Sequence, residues 1–240
     1  RCGDRPHWSS PSVSTPAPSA WKATWGHVVG RGLFEVLYAV ERHGVTRVPR
    51  RGPVLLAANH TGYLDGALVA SMSPRPAHFL VLTDTFDTVA GPLLRASGQI
   101  PLDQKVGDRT ALGQAIEVLR RDGVIGIFPE GGRGRGDLAE AGRGVAWLAI
   151  NGRATIIPTA CLGTRATGEH ADSWPRVRSR LVVDFGAPVV LELPDGIPGR
   201  QRLHLAGEQV RLALAGHVAE ASRRHGIPLP EDIPEGLVGT

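Results

Sequence analysis

From residue 53 onward, short apolar runs alternate with longer stretches whose apolar positions recur every three or four residues. The runs 53–58 (PVLLAA), 77–83 (AHFLVLT), 124–128 (VIGIF), 155–162 (TIIPTACL) and 181–185 (LVVDF) read as buried strands, with 99–102 as a shorter one. Helices are predicted between them, over 62–72, 90–97, 109–121, 142–151 and 200–224. The segment 109–121 has the clearest helical period, and it ends in a basic turn followed by Gly123, as the helix dipole and C-terminal capping favour. This alternation predicts an α/β fold: a largely parallel central sheet flanked by helices, with its chemistry at loops beyond the strand ends.

Upstream the pattern changes twice. Residues 1–20 are rich in Ser and Pro (SSPSVSTPAPSA) and read as a disordered leader. Trp21, Trp25, Val28, Val29, Leu33, Phe34, Val36, Leu37 and Val40 then recur at helical spacing, so 21–44 reads as an N-terminal amphipathic helical segment. Lys22, His27, Arg31 and Arg42 carry its basic charge. Such a helix suits a lipid interface, with its Trp residues at headgroup level, and it equally suits packing on a domain. Residues 45–230 then form one domain, with 231–240 as a tail. Crossing a bilayer takes roughly 18–20 apolar residues. The longest candidate, 28–40, is interrupted by Arg31 and Glu35, and no secretory signal pattern is present. Membrane contact is therefore expected to be peripheral.

Composition adds little to the fold, but it narrows the partners. A chain of 240 residues is long enough for one large α/β core. The net charge is +4, and Lys22 and Lys105 are the two lysines among 27 basic residues. The excess is guanidinium, which binds phosphate in a bidentate way, although codon bias explains such a preference equally well. Five Phe, two Tyr and no recognised motif argue against a nucleic-acid partner. Cys2 and Cys161 make no disulfide framework, which fits a reduced, intracellular setting. The nine histidines are scattered without metal-ligand spacing, so no metal is expected.

Two constellations could carry chemistry, and each directly follows a predicted strand. The first is Asn59-His60-Thr61-Gly62-Tyr63-Leu64-Asp65. An unperturbed imidazole titrates at about 6.5 and serves as a base near neutral pH, best when a carboxylate fixes its tautomer. On one regular helix, residues five apart point about 140° away from each other. His60 and Asp65 can therefore meet only if His60 precedes the helix and Asp65 opens it. By itself the spacing is a weak signal and fits a polar turn with an acidic helix start better. The second is Phe128-Pro129-Glu130-Gly131-Gly132-Arg133-Gly134-Arg135-Gly136. Its glycines allow close backbone approach to a ligand, Arg133 and Arg135 can clamp phosphate, and Glu130 can accept from a polyol or from loop amides. The Gly-Lys-Ser/Thr ending of a nucleotide P-loop is absent. Taken alone, this stretch also fits a solvated basic loop.

Together, NHTGYLD, FPEGGRGRG and IIPTACLGT resemble the glycerolipid acyltransferase family, whose best-known members are the 1-acylglycerol-3-phosphate acyltransferases. The resemblance spans residues 45–190. His60 and Asp65 match its first motif, a His, four residues, then an Asp. Phe128, Pro129, Glu130, Gly131 and Arg133 match the third, with Gly132 and Gly134 where Thr and Ser are usual. Ile156, Ile157, Pro158 and Thr159 match the fourth. The stretch from Gly98 to Gln104 resembles the second motif, but Gln104 stands where an acceptor-binding arginine is usual; Lys105 and Arg109 are close in sequence. The resemblance implies acyl transfer from acyl-CoA or acyl carrier protein to a lysophospholipid acceptor, on the cytoplasmic face of a membrane and without a cofactor. His60 would be the general base and Asp65 its orienting partner, while Glu130, Gly131, Gly132, Arg133, Gln104 and Arg135 would bind substrate. No covalent acyl-enzyme is implied, and Cys161 reads as a small buried residue. An acyl-thioester hydrolase and a non-catalytic module binding anionic lipid are the alternatives.

Overall fold

A computed structural model describes residues 16–103, 108–138 and 143–233. The chain runs α1 (Ala20–Leu37), β1 (Ala39–His43), β2 (Val54–Ala58), α2 (Asp65–Met72), β3 (Ala77–Leu82), α3 (Gly91–Ala96), β4 (Ile100–Leu102) and α4 (Arg109–Arg120). It continues through β5 (Val124–Ile127), α5 (Arg143–Gly152), β6 (Thr155–Leu162), β7 (Arg180–Phe185) and α6 (Gly199–His225). The strands form a seven-stranded sheet in the order β1-β7-β6-β2-β5-β3-β4. Every neighbouring pair is parallel except β6 with β7. The expected α/β architecture is therefore present.

Burial on both faces explains why the strands read as apolar runs rather than as alternation. Along β2, Leu55 and Ala57 join a cluster with side chains of α4, α5 and α6. Val54, Leu56 and Ala58 join the opposite cluster with Phe34 of α1 and Leu68, Val69 and Met72 of α2. The period of two is intact, but it divides one kind of residue between two apolar layers.

Two readings of the N-terminal region change. The helix stops at Leu37, Tyr38 is extended, and 39–43 form β1, which pairs with β7. The sequence AVERH fits a helical period as well as a strand; what decides is the open edge of β7, where Ala39 N–H donates to Ser179 O at 3.0 Å. The end of the expected leader is also ordered. Gln114 Nε2 donates to Pro16 O at 3.2 Å, Arg121 donates to Pro18 O, and Ala17 packs on the core. Residues 1–15 and 234–240 lie outside the described residues.

Helix α1 is amphipathic in an inverted sense. Ala23 and Phe34 are buried, whereas Trp21, Val28, Val29, Leu33 and Val36 are exposed. Its inner face lies close to α2, and a Cβ built on Gly30 would fall 2.3 Å from Ser71 Oγ. Among the described residues no helix is long and apolar enough to cross a membrane.

Glycine at 126, in the middle of β5, is dictated by packing. A Cβ there would lie 2.2 Å from the ring of Phe79, which is itself buried. Gly126→Ala is expected to destabilise the fold by about 1–3 kcal/mol through overpacking. Urea unfolding would register this as a lower midpoint with an unchanged slope.

Candidate active site

Strands β6, β2 and β5 are neighbours and point the same way. The loops leaving their C-terminal ends therefore converge at one edge, where ligands bind in open α/β sheets. His60 follows β2, Phe128 to Gly136 follow β5, and Thr164 and Arg165 follow β6.

The condition set by the spacing of His60 and Asp65 is met. Helix α2 begins at Asp65, so His60 lies in the loop before it. His60 Nδ1 is 2.9 Å from Asp65 Oδ2. The same oxygen accepts from the N–H groups of Thr61 at 2.6 Å and Gly62 at 2.8 Å. Asp65 Oδ1 accepts from the hydroxyl of Thr164 and from Cys161 Sγ at 3.4 Å. The carboxylate is fully buried, and all its partners donate. Nδ1 therefore carries the proton, which leaves Nε2 with the lone pair that a general base needs. One imidazole face is covered by Phe128, with ring centroids 3.9 Å apart and planes 13° from parallel.

The glycine-rich loop is tied to this pair through the backbone. His60 N–H donates to Glu130 Oε1 at 2.9 Å, and Gly134 N–H donates to His60 O at 2.9 Å. Burial pushes the Glu130 carboxyl up to about 7, opposed by the His60 amide and reinforced by Asp137 and Asp65. Glu130 thus accepts from loop amides, one of its two expected roles. Gly131 N–H donates to Phe128 O at 3.1 Å. Arg133 donates to Ala171 O at 3.0 Å, pairs with Asp172, and lies 5.7 Å from the ring centroid of Tyr63. Arg135 is half-exposed and pairs with Asp137 at 3.1 Å. Gly132 lies between these anchors, with nothing within 4 Å of an added Cβ. Gln104 and Lys105 lie outside the described residues; Arg109 is the first residue of α4, which Asp108 caps by accepting from two amides at 2.9 Å.

A sequence model of the acyltransferase family matches residues 39–162, just over half of the chain. The chain belongs to the acyltransferase family. It is 25% identical over 126 residues to a 1-acyl-sn-glycerol-3-phosphate acyltransferase of Bacillus subtilis, covering 52% of this chain and 63% of that one. It is 30% identical over 151 residues to an uncharacterised protein of Mycobacterium tuberculosis, covering 56% of this chain and 40% of that one. The chain thus spans less than two thirds of these curated relatives. In fold it is similar to the crystal structure of the lysophosphatidate acyltransferase PlsC of Thermotoga maritima. That match has a TM-score of 0.63 at 18% identity, over 83% of this chain and 79% of that one.

Within this acyltransferase fold, several residues that sequence reasoning missed hold the site together. Asn59 is buried and extends the pairing of β2 with β6: its Nδ2 donates to Cys161 O at 3.1 Å, and its Oδ1 accepts from Cys161 N–H at 2.8 Å. Burial and the Asp65 carboxylate hold the Cys161 thiol well above its usual pKa, as a donor rather than a nucleophile. Arg165 is buried, and its guanidinium donates to Thr61 O at 3.0 Å, Gly134 O at 3.3 Å and Glu169 O at 3.0 Å. It also pairs with Asp232 at 3.1 Å, inside the segment read as a tail. Asn59 stands inside the first motif, and Arg165 stands shortly after the fourth. Nothing in the sequence signals Asp232 as its partner.

The raised Glu130 carboxyl has a signed consequence. Between about 4.5 and 7 the unfolded chain has released this proton while the folded chain keeps it. Stability therefore falls as pH rises through that window, at up to about 1.4 kcal/mol per pH unit. Glu130→Gln is expected to flatten this slope, read as unfolding midpoints at pH 5 and pH 8.

Proposed function

We propose that this protein transfers a fatty acyl group from an acyl thioester, acyl-CoA or acyl carrier protein, to the free hydroxyl of a lysophosphatidate-like glycerolipid. The observation that carries this reading is the buried Asp65 holding His60 Nδ1, beside an arginine-bearing glycine loop. His60 Nε2 would take the acceptor hydroxyl proton as its oxygen attacks the thioester carbonyl carbon. Collapse of the tetrahedral intermediate forms the ester and expels the thiolate, which recovers the proton from the imidazolium. Asp65 stabilises that imidazolium and keeps the ring oriented. No covalent acyl-enzyme is needed, which agrees with a Cys161 thiol that is buried and protonated. The Gly131 and Gly134 amides are already committed to Phe128 O and His60 O. An oxyanion would therefore draw on other donors or displace these bonds.

Arg133 and Arg135 are the acceptor-phosphate candidates. Both are paired with aspartates here, so a bound phosphate would replace Asp172 or Asp137 as partner. Membrane contact would use α1, whose exposed Trp21, Val28, Val29, Leu33 and Val36 form an apolar surface suited to insertion at the headgroup boundary. This reading places the protein peripherally on the cytoplasmic face, with the acceptor already in the lipid layer.

The deciding assay offers labelled acyl thioester with lysophosphatidate, other lysophospholipids or glycerol 3-phosphate. Lysophosphatidate is expected to be the best acceptor, and His60→Ala should lower the rate by about 10²–10⁴. Free fatty acid as the product, with or without acceptor, would indicate a hydrolase instead. Lipid binding without turnover, unchanged in His60→Ala, would indicate the non-catalytic reading. In a separate flotation assay, Leu33→Glu with Val36→Glu is expected to release the protein from anionic vesicles while leaving its circular dichroism unchanged.

A further inference from the structure

A second cluster of titratable side chains lies at the β1 edge, three strands away from β2. Glu41 and His43 are two residues apart on β1 and so share a face. His225 meets them from the last turn of α6, its ring centroid 4.3 Å from that of His43. One ligand atom from each of the three lies within 4.8 Å of the others. We propose that Glu41, His43 and His225 form a binding site for a divalent transition-metal ion of the zinc class.

The chemistry of the donors supports this. A carboxylate oxygen and two imidazole nitrogens are a common zinc set, with a fourth position for water. A tetrahedral ion with bonds of about 2.0–2.1 Å needs ligand atoms about 3.4 Å apart, so a closing shift of roughly 1 Å suffices. His43 Nε2 already shares a hydrogen bond with Glu41 Oε2 at 3.2 Å, which an ion would replace. His225 Nε2 donates to Asp184 Oδ2 at 2.9 Å. A buried carboxylate behind a histidine fixes its tautomer and leaves the other nitrogen as the ligand, as in carboxylate–histidine–zinc arrangements. Asp184 is fully buried, and its Oδ1 has no hydrogen-bond partner among the described residues. Arg47 and His217 each lie 3.8 Å from that oxygen, so its charge is already partly met.

The opposing charges are equally visible. Arg180 pairs with both Glu41 oxygens, at 2.6 and 3.0 Å. Arg224 reaches Asp184 at 3.2 Å, Arg47 lies 3.8 Å from it, and His217 donates to its backbone oxygen at 2.8 Å. An ion must therefore take one Glu41 oxygen from Arg180. This sets a moderate affinity and gives the proposal a distinctive signature: removing Arg180 should strengthen binding. A bound ion would join the edge strand to the end of the last helix, and so act on stability rather than on acyl transfer.

The test uses untagged full-length protein and zinc, measured by competition with a chromophoric chelator, with cobalt absorption reporting the ligand set. One ion per chain is expected, with a thermal midpoint that rises with zinc concentration. His43→Ala and Glu41→Gln, both at half-exposed side chains, should weaken binding by about 10–100-fold or more. Arg180→Met should tighten it. His225→Ala is a poorer variant because it strips a partner from buried Asp184. Absence of saturable binding, or binding undiminished in both His43→Ala and Glu41→Gln, overturns the proposal, whatever the acyl-transfer assay shows.

Discussion

The arrangement of the site depends on one buried carboxylate. An isolated ion of that kind would cost several kcal/mol to remove from water, and Asp65 avoids this by accepting at both oxygens. Its donors come from two places: the loop between β2 and α2, through His60, Thr61 and Gly62, and the end of β6, through Cys161 and Thr164. The charge is therefore satisfied only while β2 and β6 keep their register, Ala58 opposite Thr159. A slip of one residue would turn every side chain to the other face and strand the carboxylate. Asn59 guards that register, since its amide pairs with both backbone groups of Cys161 just past the end of β2.

Arg165 does for the outer loops what Asp65 does for the inner one. Its buried guanidinium meets backbone oxygens from the histidine loop, the glycine-rich loop and its own loop, together with the carboxylate of Asp232. A planar fork with five donors suits this task in a way an ammonium would not. The two charges thus fix three loops that have no regular structure of their own. The sheet places the loops at one edge, and these polar partners set their positions on the scale needed for chemistry.

Much of this was legible in the chain, for identifiable reasons. Strands buried on both faces leave long apolar runs, so β2, β3, β5, β6 and β7 were visible within a residue or so. His60 and Asp65 were visible as a pair because a short loop joins them. β1 was not, because a five-residue edge strand with Glu41 and Arg42 in it carries no pattern distinct from the helix before it. Contacts between distant segments were hidden for a different reason. Arg165 with Asp232, and His43 with His225, are brought together by the order of strands and helices, and spacing along the chain carries no trace of that. The outward apolar face of α1 was half-legible: the period gave the helix, but not which side the domain would claim.

The departures in the glycine-rich loop follow from how that loop is held. Gly132 and Gly134 stand where the family pattern has Thr and Ser, so side-chain hydroxyls cannot set its conformation. The contacts described for it instead involve Gly134 through its backbone: its N–H reaches His60 O, and its carbonyl accepts from Arg165. Glu130 adds a contact to the His60 amide, one residue of each loop holding the other. A loop registered in this way tolerates the loss of two hydroxyls, because neither end of these bonds depends on them. It also ties the arginine-bearing loop directly to His60. A displacement of Glu130 would move the His60 backbone, and with it the ring that Asp65 and Phe128 hold in place.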